Sequence, residues 1–197
     1  MFVMTERKLE LLQIAQRLFK DKGYSAASMR DIAKAANVEP ATLYSHVSGK
    51  EEFLDQTCFT MAKLFIDAIY EVNDIYFDAP QKLKMAVHNH VQILADNLDA
   101  SVVFQHEWRH LSPERKQEFI LLRNQYEEGF RTIVQDGVDA GLFNEVDKKI
   151  AALTILSSIN WIVEWYNPDG KLSPKEIADQ LHNFILTGLQ KETLGLN

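Results

Sequence analysis

The sequence holds a single cysteine, Cys58, so no internal disulfide can form, which fits a reducing compartment. Eight glycines and five prolines in 197 residues are too few for a collagen-like or low-complexity chain. Long hydrophobic runs are missing. The longest near-apolar stretch, residues 150–163, is interrupted by Thr154, Ser157, Ser158 and Asn160 and is too short and too polar to span a bilayer. The opening Met1-Phe2-Val3-Met4 lacks the apolar stretch of a secretory signal, so the expected location is the cytoplasm. No run alternates with period two, which argues against strands. There is no glycine-rich phosphate loop and no G-x-S-x-G turn, and Cys58 sits in an apolar helical stripe that favours burial. No catalytic residue, cofactor or metal is expected.

What is present suits a globular chain, with 46% apolar and 25% charged residues, enough for one ordinary domain or a small one joined to a medium one. The net charge of -7 is unevenly spread. Residues 1–50 carry eight Lys/Arg and five Asp/Glu, whereas residues 51–197 carry 13 and 23. A mildly basic head on an acidic body suggests a head that faces nucleic acid and a body that resists non-specific adhesion.

Apolar spacing predicts about nine helices and an all-α fold. Leu11, Leu12, Ala15, Leu18 and Phe19 form one face of a first helix that Gly23 ends in a left-handed cap. Ser28 caps a short second helix carrying Met29, Ile32, Ala33 and Ala36. Asn37 supplies a left-handed turn, and Pro40 opens a third helix with Ala41, Thr42, Leu43 and Tyr44. Ser48 to Glu51 reads as a capping box for a long fourth helix. A fifth is expected over about 81–99, a sixth over 102–111, a seventh from Ser112-Pro113 to about 140, and an eighth over 147–166. Ser173-Pro174-Lys175-Glu176 is a second capping box and opens the last helix.

Residues 28–46 thus have the proportions of a helix-turn-helix, whose second helix enters the major groove. Small Ala41 and Thr42 allow close approach to the bases, and Thr42 can bond a base edge or touch a thymine methyl. Tyr44, His46 and Lys50 suit phosphate contacts.

Leu11 to Phe19, Gly23-Tyr24, Ser28-Met29-Arg30-Asp31-Ile32-Ala33, Ala35-Ala36-Asn37-Val38, Thr42-Leu43-Tyr44-Ser45-His46-Val47 and Lys50-Glu51-Glu52 follow one another at the spacing of the TetR family's DNA-binding head. The first fifty residues resemble that family of bacterial transcriptional regulators. Asn37 stands where glycine is commonest and Val47 where phenylalanine is; each keeps the character of its position. The resemblance implies a head over residues 1–47 and a ligand-binding and dimerisation domain over 48–197. It implies base contacts from Ala41 and Thr42, with Ser28, Arg30, Pro40, Tyr44, His46 and Lys50 completing the DNA-facing set. The implied partners are a palindromic double-stranded operator, a second copy joined through the last two helices, and a small ligand; no membrane is expected. The eighth helix is apolar nearly all round, which suits burial on more than one side.

Residues 160–173, with Glu107-Trp108-Arg109 and Arg123-Asn124-Gln125-Tyr126-Glu127, resemble a TetR subgroup that responds to acyl-CoA thioesters. An acyl-CoA or a similar large amphipathic ligand is then expected. Phe104, Trp108, Tyr126, Trp161 and Trp165 would serve its apolar part, and Arg109 and Arg123 its phosphate or carboxylate.

One alternative competes. His106-Glu107-Trp108-Arg109-His110 spells H-E-x-x-H, which on one helix places two histidines on a shared face to bind zinc, with Glu107 as general base. Glu127 or Glu128 could be a third ligand in a zinc-dependent hydrolase, and His88 or His90 could join the pair in a non-catalytic site. A regulator of the same fold sensing a different drug or metabolite is the other alternative.

Overall fold

Thr5 accepts a hydrogen bond from the Lys8 amide and so caps the first helix, α1 (Glu6–Lys22), satisfying one of the amides a helix start leaves unpaired. The computed structural model describes residues 5–190, and among them the fold is all α. The further helices are α2 (Met29–Ala35), α3 (Pro40–Tyr44), α4 (Lys50–Asp74), α5 (Ala79–Asp96), α6 (Leu98–His106), α7 (Pro113–Asp139), α8 (Lys148–Asn160) and α9 (Pro174–Leu189). Short 3₁₀ turns follow α6 (Trp108–His110) and α8 (Trp161–Glu164). The one β-type pairing among the described residues is a single bridge between Phe143 and Gln190. No described helix is long and apolar enough to cross a membrane.

Several boundaries follow the expected chemistry. Ser28 and Asp31 form a reciprocal capping box at α2, and Ser173 and Glu176 form another at α9, where Pro174 occupies the first turn. Asn37 adopts φ 53°, the only positive φ outside glycine among the described residues. Its side chain tolerates the left-handed region that β-branched residues resist. Other boundaries correct the sequence reading. Gly23 has φ 81° and ψ 150°, an extended conformation open essentially to glycine alone, and not the left-handed helical cap. At α4 the partner of Ser48 is Glu52, not Glu51. The Ser48 amide and hydroxyl donate to Glu52 Oε2 at 2.8 and 2.9 Å.

The described residues form two compact units. The first takes the chain up to residue 63 together with 97–121; the second takes 64–96 together with residue 122 onward. α4 and α7 contribute to both. The sequence reading places a division at 47/48, after the third helix. The compact units divide the chain differently, because α6 packs on α1 and returns residues 97–121 to the head.

In the first unit Leu11, Leu12, Ala15 and Phe19 of α1 are buried with Ile32 and Ala33 of α2, Leu43 of α3 and Phe53, Leu54 and Cys58 of α4. Val47 is buried as well, filling the position of the family's larger residue. In the second unit α5 packs along α9 and touches α8. Its core includes Phe65, Leu83, Val87, Val91, Phe130, Ile155 and Ile177. There Gly137 lets Phe143 lie against the α7 backbone; a Cβ on Gly137 would stand 2.1 Å from Phe143 Cδ2.

Candidate nucleic-acid interface and associated sites

The turn at Asn37 sets the position of α3. Asn37 donates its amide to the Lys34 carbonyl at 3.2 Å, and Val38 donates to that of Ala33 at 3.0 Å, so the backbone reverses directly after α2. Leu43, wholly buried, fixes the inner face of α3. The opposite face is then open. Pro40, Ala41, Thr42 and Tyr44 are exposed, Tyr44 by 55%, and His46 is half-buried. Ser28 and Arg30, at the start of α2, are also exposed. Seven of the eight expected DNA-facing residues therefore reach the surface of one unit. Lys50 differs: its ammonium turns inward and donates to the Tyr24 and Ala27 carbonyls.

Most of the head's cations are paired with carboxylates of the same chain, largely at its surface. Lys8 donates to Glu52 at 2.6 Å. Burial opposes ionisation of the Glu52 carboxyl, but hydrogen bonds from Lys8 and Ser48 outweigh it and hold the group below the usual carboxylate range. Arg17 and Lys20 of α1 meet Asp99 of α6 at 3.5 and 2.5 Å. Lys22 pairs with Asp31, and Arg7 with Glu10.

The H-E-x-x-H string does not lie on one α-helix. α6 ends at His106, Glu107 is its C-cap, and His110 belongs to the 3₁₀ turn, so the expected helix over 102–111 is corrected. Ring packing accompanies the tighter winding: Trp108 lies 5.7 Å from Phe119, and His110 stacks 5.3 Å from Tyr24. His110 also lies 3.4 Å from Glu107. Without the shared helical face, the metal argument loses its geometric basis. Among the described residues no group of three or more His, Cys, Asp or Glu is arranged to hold a metal ion.

The expected ligand contacts separate into the two units. In the first, Phe104 and Trp108 both meet Phe119, and the Arg109 guanidinium lies 4.8 Å over the Trp108 ring. In the second, Tyr126 contacts Phe65 and Phe130 and hydrogen-bonds His90 at 2.8 Å. Arg123 is exposed, as are Trp161 (64%) and Trp165 (48%). Sequence reasoning missed His90 and Phe65 at this cluster. His90 occupies a core position in the stripe Leu83, Val87, His90, Val91, Leu94, so a titratable residue on an apolar face was the available signal.

α8 and α9 leave an open apolar cleft of about 380 Å³, lined mainly by Val146, Ile150, Ile155, Phe184, Ile185 and Leu189. Ile150 is 65% and Phe184 80% exposed. Within a single chain, one side of α8 is therefore buried, at Ala152, Ile155 and Ile159, and another is open.

Comparison with known proteins agrees with this geometry. Residues 11–57 match the family described as bacterial regulatory proteins, tetR family, and residues 77–189 match the tetracyclin repressor-like C-terminal domain. The HTH-type transcriptional repressor KstR2 of Rhodococcus jostii is 28% identical over 190 residues, covering 93% of this chain and 91% of that one. The TetR family regulator PfmR of Thermus thermophilus superposes with a TM-score of 0.84 at 34% identity, over 92% of this chain and 99% of that one. AibR, solved in complex with isovaleryl coenzyme A and operator DNA, superposes with a TM-score of 0.80 at 26% identity, over 91% of this chain and 97% of that one.

Proposed function

Since the chain belongs to the TetR family of bacterial regulatory proteins, and so is a transcriptional regulator and not an enzyme, we propose that it is a cytoplasmic, homodimeric repressor of a palindromic operator, released by a small amphipathic ligand. The observation that carries the DNA-binding part is the exposed row Pro40, Ala41, Thr42 and Tyr44, held outward by buried Leu43 and the turn at Asn37. Ala41 and Thr42 read bases, while Ser28, Arg30, Tyr44 and His46 fix register on phosphates.

A palindrome calls for two heads. The open cleft of α8 and α9 supports a second copy as its occupant, since apolar side chains such as Phe184 are otherwise left in water. The ligand reading is an acyl-CoA thioester. Its support is the likeness to AibR, together with the aromatic cluster at Tyr126 in the second unit. Arg123, Trp161 and Trp165 of the same unit complete the candidate contacts. Ligand acts by binding more tightly to a conformation that suits the operator poorly; only that difference in affinity can release DNA.

The test is fluorescence anisotropy on the chain's own upstream DNA against a scrambled competitor at physiological salt. Competitor-resistant binding supports the repressor reading; equal, weak binding on both duplexes counts against a nearby operator. CoA thioesters from short to long chain are then added. Release by one of them supports the ligand class, and neither release nor thermal shift with any rejects it.

A further inference from the structure

Tyr126 and His90 meet in the core of the second unit, where polar hydrogens need partners within the protein. The Tyr126 hydroxyl lies 2.8 Å from His90 Nδ1 and has no other hydrogen-bond partner among the described residues. Burial raises the phenol far above its ordinary range, so it keeps its proton. That proton has one acceptor in reach, the Nδ1 lone pair. A neutral imidazole carries a single hydrogen, and with Nδ1 accepting, the hydrogen sits on Nε2. Tyr126 therefore fixes the tautomer.

The Nε2–H group is then a buried donor without a well-formed hydrogen bond. His90 is 1% exposed, and its ring is stacked on Phe65 at 4.8 Å and tied to Tyr126, so it does not turn toward another partner. Asn160, the last residue of α8, faces the ring and is itself partly exposed. α5 packs there against α8 and the 3₁₀ turn that follows it. The unmet donor thus lies one side chain from the surface, in the unit that holds Arg123, Tyr126, Trp161 and Trp165.

A donor left unpaired in a core carries its full desolvation penalty, and a group that pairs with it recovers that penalty. The chemistry of such a group is narrow. It accepts a hydrogen bond, and it is neutral, because a setting walled by Phe65 and Phe130 disfavours charge. A carbonyl oxygen meets both conditions. A carboxylate fails the second and a saturated chain the first.

We propose that His90, its tautomer set by Tyr126, donates from Nε2 to the carbonyl oxygen of an acyl thioester and so selects a thioester over the thioether that lacks the carbonyl. The inference rests on the acyl-CoA reading of the ligand and deepens it. Tyr126 acts through His90, as a positioning residue.

The experiment takes the saturated acyl-CoA whose chain length raises the melting temperature most, and the S-alkyl-CoA of the same length, in which a methylene replaces the carbonyl. Calorimetric titration at pH 7 compares the two on wild type, His90→Phe and Tyr126→Phe. Wild type should bind the thioester about tenfold tighter, the size expected when a buried donor is paired in one complex and not in the other. His90→Phe keeps an aromatic ring and loses the donor, so it should bind both probes within about twofold of each other. Tyr126→Phe releases the tautomer, and the preference should shrink to about threefold. Long-range proton–nitrogen spectra of labelled histidine should show the His90 hydrogen on Nε2 in the wild type, with that proton moving downfield on adding the thioester and not the thioether. These spectra need no variant, so they decide the matter if His90→Phe does not fold.

Equal affinity of the two probes for wild type overturns the proposal and leaves the acyl-CoA reading standing. So does a preference that His90→Phe or Tyr126→Phe leaves intact, or an imidazole hydrogen on Nδ1. Wild-type protein that binds no CoA thioester of any chain length removes the acyl-CoA reading itself, and this proposal with it.

Discussion

The ring of His90 and the hydroxyl of Tyr126 share a hydrogen bond of 2.8 Å inside the second unit, with Phe65 stacked on the imidazole at 4.8 Å. Burial in this apolar setting drives the His90 imidazolium down to about 3; Asn160 faces the ring and offsets a part, yet no well-formed hydrogen bond reaches Nε2. The histidine is therefore neutral in the folded protein across the physiological range.

A pH dependence follows from that depressed value. Between about pH 6.5 and about pH 3 the unfolded chain binds a proton at this position that the folded chain does not. Stability is full above about pH 6.5 and falls as pH drops, by up to about 1.4 kcal/mol per pH unit from this group. Urea unfolding at pH 7 and pH 5 should show the wild type losing roughly 2 kcal/mol more than His90→Phe. Equal losses would mean that the imidazole titrates as it does in water.

Thr42 offers a test of base readout. Thr42→Ala should weaken operator binding by roughly 1–3 kcal/mol and leave scrambled DNA nearly unaffected. Competition anisotropy measures both, and an equal loss on the two would remove Thr42 from the base-reading set.

Asn37, at φ 53°, tests the turn. Asn37→Gly should change stability by less than about 0.5 kcal/mol, whereas Asn37→Val should cost roughly 1–2 kcal/mol, because a branched side chain clashes in the left-handed region. Thermal unfolding of the two variants provides the comparison.

The cleft of α8 and α9 gives a prediction about assembly. Phe184 is 80% exposed in the single chain, so Phe184→Glu should leave the protomer folded. It should weaken self-association by about 2 kcal/mol or more, near thirtyfold in the dimer dissociation constant. Sedimentation of the variant as a dimer at micromolar concentration would direct attention to another surface.

Gly137 tests packing in the second unit. A Cβ there would stand 2.1 Å from the Phe143 ring, so Gly137→Ala should destabilise by about 1–3 kcal/mol despite the better helix propensity of alanine. Chemical denaturation with an unchanged m-value would locate the effect in the folded state.

The head was legible because short-range chemistry governs it. Ser28 with Asp31, Asn37, Pro40 and the buried stripe of α1 each announce their role within a few residues of sequence. The misreadings lie where tertiary packing takes over. The 3₁₀ turn at Trp108 to His110 accompanies contacts with Phe119, in the next helix, and with Tyr24, far back in the loop after α1, and no local pattern carries that information. The partners of Lys50 were hidden for a similar reason: the carbonyls that receive its ammonium belong to that same distant loop. The ligand contacts were the least legible, since an aromatic at helical spacing reads the same whether it fills a core or lines a cavity.

The internal pairing of the head's cations bears on how an operator is found. Of eight lysines and arginines in the first fifty residues, Arg7, Lys8, Arg17, Lys20 and Lys22 are matched to carboxylates and Lys50 to two carbonyls, leaving Arg30 and Lys34 facing outward. Such a head has little long-range grip on random duplex, and the acidic remainder of the chain repels it. Dwell times on arbitrary genomic sequence should be short, so the search proceeds by frequent dissociation and rebinding more than by long one-dimensional sliding. Residence on the operator then rests on groove fit, and it should survive rising salt better than binding by a protein that relies on phosphate neutralisation.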